Sequence, residues 1–289
     1  MEARKLSALY GLKWNPFLPD IPVEALCKSP RFDHFAWRIE DLVMHGGFAL
    51  VTGDPGAGKS AVMRLLAERL SALREVVVGE VTRPQSRITD FYREVGDLFG
   101  LAVSTSNRWG AYKTVRAKWQ DHIKQTLFRP VLLIDEAQEM SAPLLAELRL
   151  VGSTHLDTST IVTVILCGDR RLEAKLRTPD LLPIDSRVRT RLVLETETAD
   201  TLGAMLRHIL TAAGNPTLMT DELQRTLCEH AAGNRRLLMN LCGDALALGV
   251  SKNAKRLDEG LYLEMTGAEQ RPAPRPKPTL VREKASARR

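Results

Sequence analysis

Eight consecutive residues carry the strongest chemistry in the chain: Gly53-Asp54-Pro55-Gly56-Ala57-Gly58-Lys59-Ser60. They fit the pattern Gly-x-x-x-x-Gly-Lys-[Ser/Thr] in full. Backbone N–H groups of such a loop converge on phosphate oxygens, and the helix start that follows adds positive potential. Lys59 is placed to reach the outer phosphates of a nucleotide, and the Ser60 hydroxyl to ligate Mg²⁺. Gly56 and Gly58 keep Cβ atoms out of the space the phosphates need. A second group, Asp135-Glu136, ends the apolar run Val131–Ile134. Asp135 suits Mg²⁺, mostly through water, and Glu136 suits a general base that polarises an attacking water. Alone, two acids at a strand end are equally compatible with a solvated terminus. Paired with the loop, they make the second half of a nucleotide site.

The surrounding pattern supplies the elements such a site needs. Residues 1–47 form a lead-in, extended or turning through Pro16, Pro19, Pro22 and Pro30, then helical from Phe32 to Met44. Phe48–Thr52 reads as a strand, followed by the loop and a helix from Lys59 to about Leu73. Val76–Val81, Val131–Ile134, Ile161–Cys167 and Leu192–Leu194 are further short apolar runs, with helical patterns between them. This alternation predicts a parallel sheet with helices on both faces over residues 48–196. After Thr196 the strands stop, and residues 197–268 read as a helical subdomain. Thr220 or Asp221 is an expected N-cap there, and Gly214 and Gly233 are expected C-caps. Residues 269–289 are proline-rich, basic and expected to be disordered.

The loop, the Asp-Glu strand end and the helical lid together resemble an AAA+ ATPase. The resemblance implies ATP and Mg²⁺ as ligands and ATP hydrolysis as the activity. It also carries further residues. Asp185-Ser-Arg-Val-Arg-Thr-Arg191 lies where clamp-loader relatives keep an arginine finger, which implies Arg187, or else Arg189, in a neighbouring subunit's site. The competing reading is a basic surface strand. Gly233-Asn-Arg-Arg236 is similar to the start of a lid helix in origin-recognition-type ATPases, which implies Arg236 as the residue reaching the γ-phosphate from the lid. The end of Ile161–Cys167 is where a small polar sensor is usual; here the sequence is Cys167-Gly168-Asp169, and Asp169 is the acid in that place.

Tyr10-Gly-Leu-Lys-Trp-Asn-Pro-Phe17, His45-Gly-Gly-Phe and Gly233-Asn234 further resemble ExeA-like ATPases and the short transposition ATPases of the TniB, MuB and TnsC types. That resemblance implies homo-oligomers, as rings or helical filaments, assembled on duplex DNA without sequence specificity. It implies target selection and the recruitment or activation of a transposase. An ExeA-like secretion or envelope-assembly role, or a helicase- or clamp-loader-type role, are the alternatives.

Composition fits this frame. Of 289 residues, 44% are hydrophobic and 26% charged, which excludes a wholly disordered chain. No run approaches the ~20 apolar residues of a membrane span, and no secretory leader is visible, so a cytoplasmic protein is expected. Cys27, Cys167, Cys228 and Cys242 are too scattered for a zinc or redox motif and are expected to be reduced. Lysines and arginines number 41 against 35 acids, a net charge of +6. Residues 271–289 alone hold seven basic residues against Glu283, so residues 1–270 sum to zero. Within the folded part, residues 108–129 carry Arg108, Lys113, Arg116, Lys118, Lys124 and Arg129 against Asp121, interleaved with Trp109, Tyr112 and Trp119. This segment is either a DNA-backbone track or a solvated amphipathic helix with Trp119 in the core. Arg83 and Arg87 are a second candidate DNA contact. Deleting 271–289 should lower the salt-sensitive part of DNA affinity, making its fall with salt shallower, but leave ATP-dependent assembly in place, as sedimentation across a salt series would read. Loss of assembly would make the tail part of the machine.

Overall fold

The computed structural model describes residues 3–103, 107–154 and 159–269. The proline-rich tail lies outside the described residues. In chain order the elements begin with α1 (Ala3–Tyr10), α2 (Pro30–His45), β1 (Gly47–Gly53), α3 (Lys59–Ser71) and β2 (Val76–Val81). There follow α4 (Ile88–Leu98), α5 (Arg108–Thr126), β3 (Arg129–Ile134), α6 (Ala142–Gly152) and a minimal hairpin of β4 (Ser153–Thr154) and β5 (Ser159–Thr160). Then come β6 (Thr163–Gly168), α7 (Arg170–Leu176), α8 (Leu182–Asp185), β7 (Val188–Leu194), α9 (Ala199–Ala213), α10 (Asp221–His230), α11 (Arg235–Ser251) and α12 (Glu259–Glu269).

Five strands form one parallel sheet in the order β2-β3-β6-β1-β7. Every residue of β1 is buried, as a central parallel strand covered on both faces must be. Strand alternation divides its side chains between two cores. Phe48 and Leu50 join Leu132, Ile134, Val164 and Leu166 against Phe91, Tyr92, Trp119 and Leu144 from α4, α5 and α6. Ala49 and Val51 join Val131, Leu133 and Ile165 against Phe35 and Ile39 of α2 and Val62 and Leu66 of α3. The anticipated α/β architecture, with a helical region following it, is therefore present.

Two expectations need correction, and a third point, left open between two readings, is decided. The fifth strand begins at Val188, four residues earlier than its apolar stretch suggested. Val188, Thr190 and Leu192 point inward at period two, while Arg189, Arg191 and Val193 face outward, so a strand with alternate arginines hides its apolar pattern. The lead-in is not extended throughout. It starts with α1, which no proline interrupts, and it contributes Leu6, Tyr10, Leu12, Phe17 and Ile21 to the core of the C-terminal helices. The third concerns α5: Trp119 is fully buried, packed edge-on to Phe99 at 5.4 Å, and belongs to the core.

The caps fall largely where expected. Thr220 caps α10 through its hydroxyl, and Gly214 closes α9 in a left-handed conformation at φ +103°. The four cysteines are free thiols, and burial pushes the Cys242 thiol well up. No described helix is long and apolar enough to cross a membrane.

Leu6 is 1% exposed in the lid core. Leu6→Ala should lower stability by about 2–5 kcal/mol, the usual cost of emptying a buried leucine site. Chemical denaturation checks this, and an unchanged midpoint would mean α1 is not part of that core.

Candidate nucleotide site

The C-terminal ends of the parallel strands converge on one edge, where open α/β sheets bind ligands. The loop 53–60 leaves β1 there. Gly56 and Gly58 both have positive φ, at +86° and +97°, values a side chain rarely adopts. Lys59 is buried, and its Nζ donates to the carbonyls of Gly53 at 3.0 Å and Asp54 at 3.2 Å. The Ser60 hydroxyl donates to Asp135 Oδ2 at 3.0 Å. Two hard oxygen donors from different elements thus meet at the strand edge, a donor set that suits a small divalent cation. Glu136 follows directly, in a left-handed conformation at φ +51°, with its N–H on Asp135 Oδ1 at 2.9 Å. Ser60, Asp135 and Glu136 line a cleft of about 1210 Å³.

The glycines have an additional role. A Cβ on Gly56 would fall 2.2 Å from Asn234 Oδ1, and one on Gly58 would fall 2.9 Å from Arg235 Nη1. These positions therefore stay bare to admit the lid helix as well as a phosphate. Asn234 caps α11 through Leu237 N–H, and its Nδ2 donates to Pro55 O at 3.0 Å. The Arg236 N–H donates to Gly56 O at 3.3 Å, while the Arg236 side chain is exposed. It is the neighbouring Arg235 that lies against the loop, ion-paired to Glu197 at the start of the lid. Two adjacent arginines at a helix start look alike in sequence; only the rotation of α11 separates them.

Helix α7 ties the remaining pieces together. Arg170 pairs with Asp54 of the loop at 2.8 Å, and Glu173 accepts from the Thr52 hydroxyl at 2.6 Å. Asp169 caps α7 by accepting from Arg171 N–H at 2.8 Å and pairs with the Arg171 guanidinium at 2.9 Å. Its carboxylate is thus engaged on the helix; its backbone N–H faces the site and donates to Gln138 Oε1 at 3.3 Å. Cys167, beside Asp135, is pushed up first by burial and then by that carboxylate, so it remains a thiol. The sequence reading missed Gln138, Arg170, Glu173, Glu197, Asn234 and Arg235. Only Asn234 and Arg235 had a local signal, in the Gly233-Asn-Arg-Arg236 motif.

The candidate finger residues lie at the opposite end of the sheet. The Arg187 guanidinium donates to Pro183 O near the start of α8. Arg189 is on the outward face of β7, and its carbonyl accepts from Arg38 at 3.0 Å. Arg191 pairs with Asp185 at 2.7 Å.

The candidate DNA residues divide. Arg83 lines the nucleotide cleft, and Arg87 is exposed just before α4. Arg108 is ion-paired to Glu147, a carboxylate only 3% exposed that also accepts from Tyr92 Oη at 2.6 Å. Its charge is therefore engaged by a buried carboxylate, although the arginine side chain itself stays exposed. Trp109 is exposed and stacked on Tyr112 at 5.0 Å. Lys113 lies over the Trp109 ring at 5.2 Å, and Arg116 donates to Tyr112 Oη at 2.6 Å. Lys118 is half-buried and Lys124 exposed.

Comparison with known proteins agrees with this geometry. A family model described as AAA domain matches residues 42–176. General secretion pathway protein A of Aeromonas hydrophila is 26% identical over 263 residues, covering 87% of this chain and 46% of that protein. The chain thus spans about half the length of that curated relative. The ORC2 protein of Aeropyrum pernix, solved in ADPNP-ADP complexes, superposes with a TM-score of 0.71 at 13% identity, over 91% of this chain and 72% of that one. The ORC1 protein of Aeropyrum pernix, solved in complex with DNA, gives 0.65 at 18% identity, over 88% and 69%. The fold is that of the AAA+ P-loop ATPases, and residues 42–176 match the AAA domain.

Gly56→Ala forces a Cβ into Asn234 at an unfavourable φ. It should separate the lid from the loop, read as faster hydrogen exchange at residues 233–237. Gly56→Ala combined with Asn234→Gly should recover part of the protection, because the colliding side chain is gone.

Proposed function

We propose that this protein is a cytoplasmic AAA+ ATPase that assembles head-to-tail and acts on duplex DNA. The observation that carries the hydrolytic part is the meeting of Lys59, Ser60, Asp135 and Glu136 at one strand edge, with the lid helix on the loop. Lys59 and the loop amides would bind the phosphates, and Glu136 would accept the proton of the attacking water. Ser60 and Asp135 would hold Mg²⁺, which supplies charge neutralisation on the phosphates when bound. Arg236, exposed at the start of α11, would reach the outer phosphate from the lid.

Assembly is supported by charge on the two ends of the sheet. The cleft beside β2 is lined by seven acids against three arginines. The opposite edge, β7, presents Arg187, Arg189 and Arg191 at or beside an outward face. Two unlike patches on one subunit favour heterologous contact, which closes into rings or continues as filaments. In that arrangement Arg187, or else Arg189, would complete the neighbouring site.

The DNA reading rests on the cations of α5, chiefly Lys113, Lys118 and Lys124, with Arg83 and Arg87 beyond it. It also rests on the similarity to the DNA-bound ORC1 protein. Within this reading, a transposase would be the partner, recruited to the DNA that the assembly covers, as the resemblance to transposition ATPases suggests. A second reading, work on proteins in secretion, is favoured by the match to General secretion pathway protein A.

Electron microscopy with a slowly hydrolysed ATP analogue and duplex DNA separates them. Rings or filaments on DNA are expected; none forming would leave the secretion reading. Lys59→Ala should abolish nucleotide binding and assembly. Glu136→Gln should keep binding and slow hydrolysis by about 10²–10⁴-fold. Arg187→Ala should lower the assembled rate by up to about 10³–10⁵-fold while leaving the ATP affinity of the monomer unchanged. An unchanged rate would move the finger to Arg189.

A further inference from the structure

Beyond Ile134 and Leu166, the last paired residues of β3 and β6, the two chains diverge and open the crevice that holds Asp135 and Glu136. Gln138 spans that gap. It is 5% exposed, in the short turn Ala137–Glu139. Its Nε2 donates to Glu136 Oε2, and its Oε1 accepts from the Asp169 N–H at 3.3 Å. The turn is itself fixed, since Lys175 Nζ donates to Gln138 O and to Met140 O at 2.8 Å.

We propose that Gln138 is a positioning residue for hydrolysis, holding the Glu136 carboxylate to the end of β6. This rests on the reading of Glu136 as the general base.

The chemistry is selective for a carboxamide. A terminal amide offers a donor and an acceptor on one planar group, without needing a particular protonation state. An ionised glutamate would face Glu136 with acceptors alone, and a lysine would leave the Asp169 N–H without an acceptor. The bare end of β6 has the same cause. A Cβ on Gly168 would fall 2.5 Å from Gln138 Oε1. The absence of a small polar side chain at this strand end thus makes room for an amide delivered from the neighbouring strand. Glu136 has a left-handed backbone and a mostly open cleft beside it, so one directed hydrogen bond has a large say in where its carboxylate rests.

The test measures steady-state hydrolysis, and separately nucleotide affinity by fluorescence, in five proteins: wild type, Gln138→Met, Gln138→Asn, Glu136→Gln and the Gln138→Met/Glu136→Gln double variant. Gln138→Met keeps the length and removes both hydrogen bonds. It should lower kcat by about 10–100-fold, the range typical of residues that orient a functional group, with nucleotide affinity unchanged. Gln138→Asn keeps the buried amide but is too short to bridge, so kcat should fall there too, even if the methionine variant folds poorly. The double variant should be no slower than Glu136→Gln alone, because positioning acts only through Glu136. The inference is overturned if both Gln138 variants keep the wild-type kcat. It is equally overturned if Gln138→Met slows the Glu136→Gln protein by the same factor as the wild type, which is the pattern of a merely structural role. Wild-type hydrolysis by Glu136→Gln would instead overturn the general-base assignment on which the inference stands.

Discussion

The contact between the phosphate loop and the first turn of α11 is the constraint on which the rest depends. A loop that gathers backbone N–H groups around an anion has to turn through conformations that side chains resist, and glycine is the ready residue for that. Here the same missing Cβ atoms let Asn234 and Arg235 approach from the lid. The lid is therefore joined to the site at its most crowded point, through Asn234 on Pro55 O and the Arg236 N–H on Gly56 O. Anything that displaces the loop displaces the lid. The Arg235–Glu197 ion pair at the start of the lid is placed to feel that movement.

The lid is also not a simple C-terminal appendage. Its core includes Leu6, Tyr10, Leu12, Phe17 and Ile21 from the opposite end of the chain, while α2 packs on the sheet beside β7 and α3. The segment between α1 and α2 therefore crosses from lid to sheet. Leu26 packs against both cores, which gives the two parts a shared side chain.

On the far side of the sheet, the charge of α5 is only partly available to a partner. Glu147 is buried and needs a counter-charge; Arg108 supplies it, and Tyr92 adds a hydrogen bond. Burial and the Glu147 carboxylate push the Tyr92 hydroxyl well up, so it remains a donor to that pair. What remains outward is a stacked Trp109–Tyr112 pair with Lys113 and Arg116 over the rings. Aromatic faces flanked by cations suit a nucleic acid backbone and its bases better than a bare basic helix would.

Much of this was legible in the sequence because it depends on neighbours in the chain. The loop, the Asp135-Glu136 strand end, the alternation of strands with helices and the caps at Thr220 and Gly214 are local consequences of backbone geometry and side-chain period. The arginines around β7 were legible as residues but not as a strand, since alternate charges on an edge strand mask its apolar half. The tertiary structure decided what sequence distance conceals. It placed Trp119 in the core, α1 in the lid, Arg235 rather than the Arg236 side chain on the loop, and Gln138 between Glu136 and the end of β6. Each of these is a choice of partner across many residues, settled by which buried polar or apolar group needs satisfying at that point in space. No spacing along the chain encodes that need.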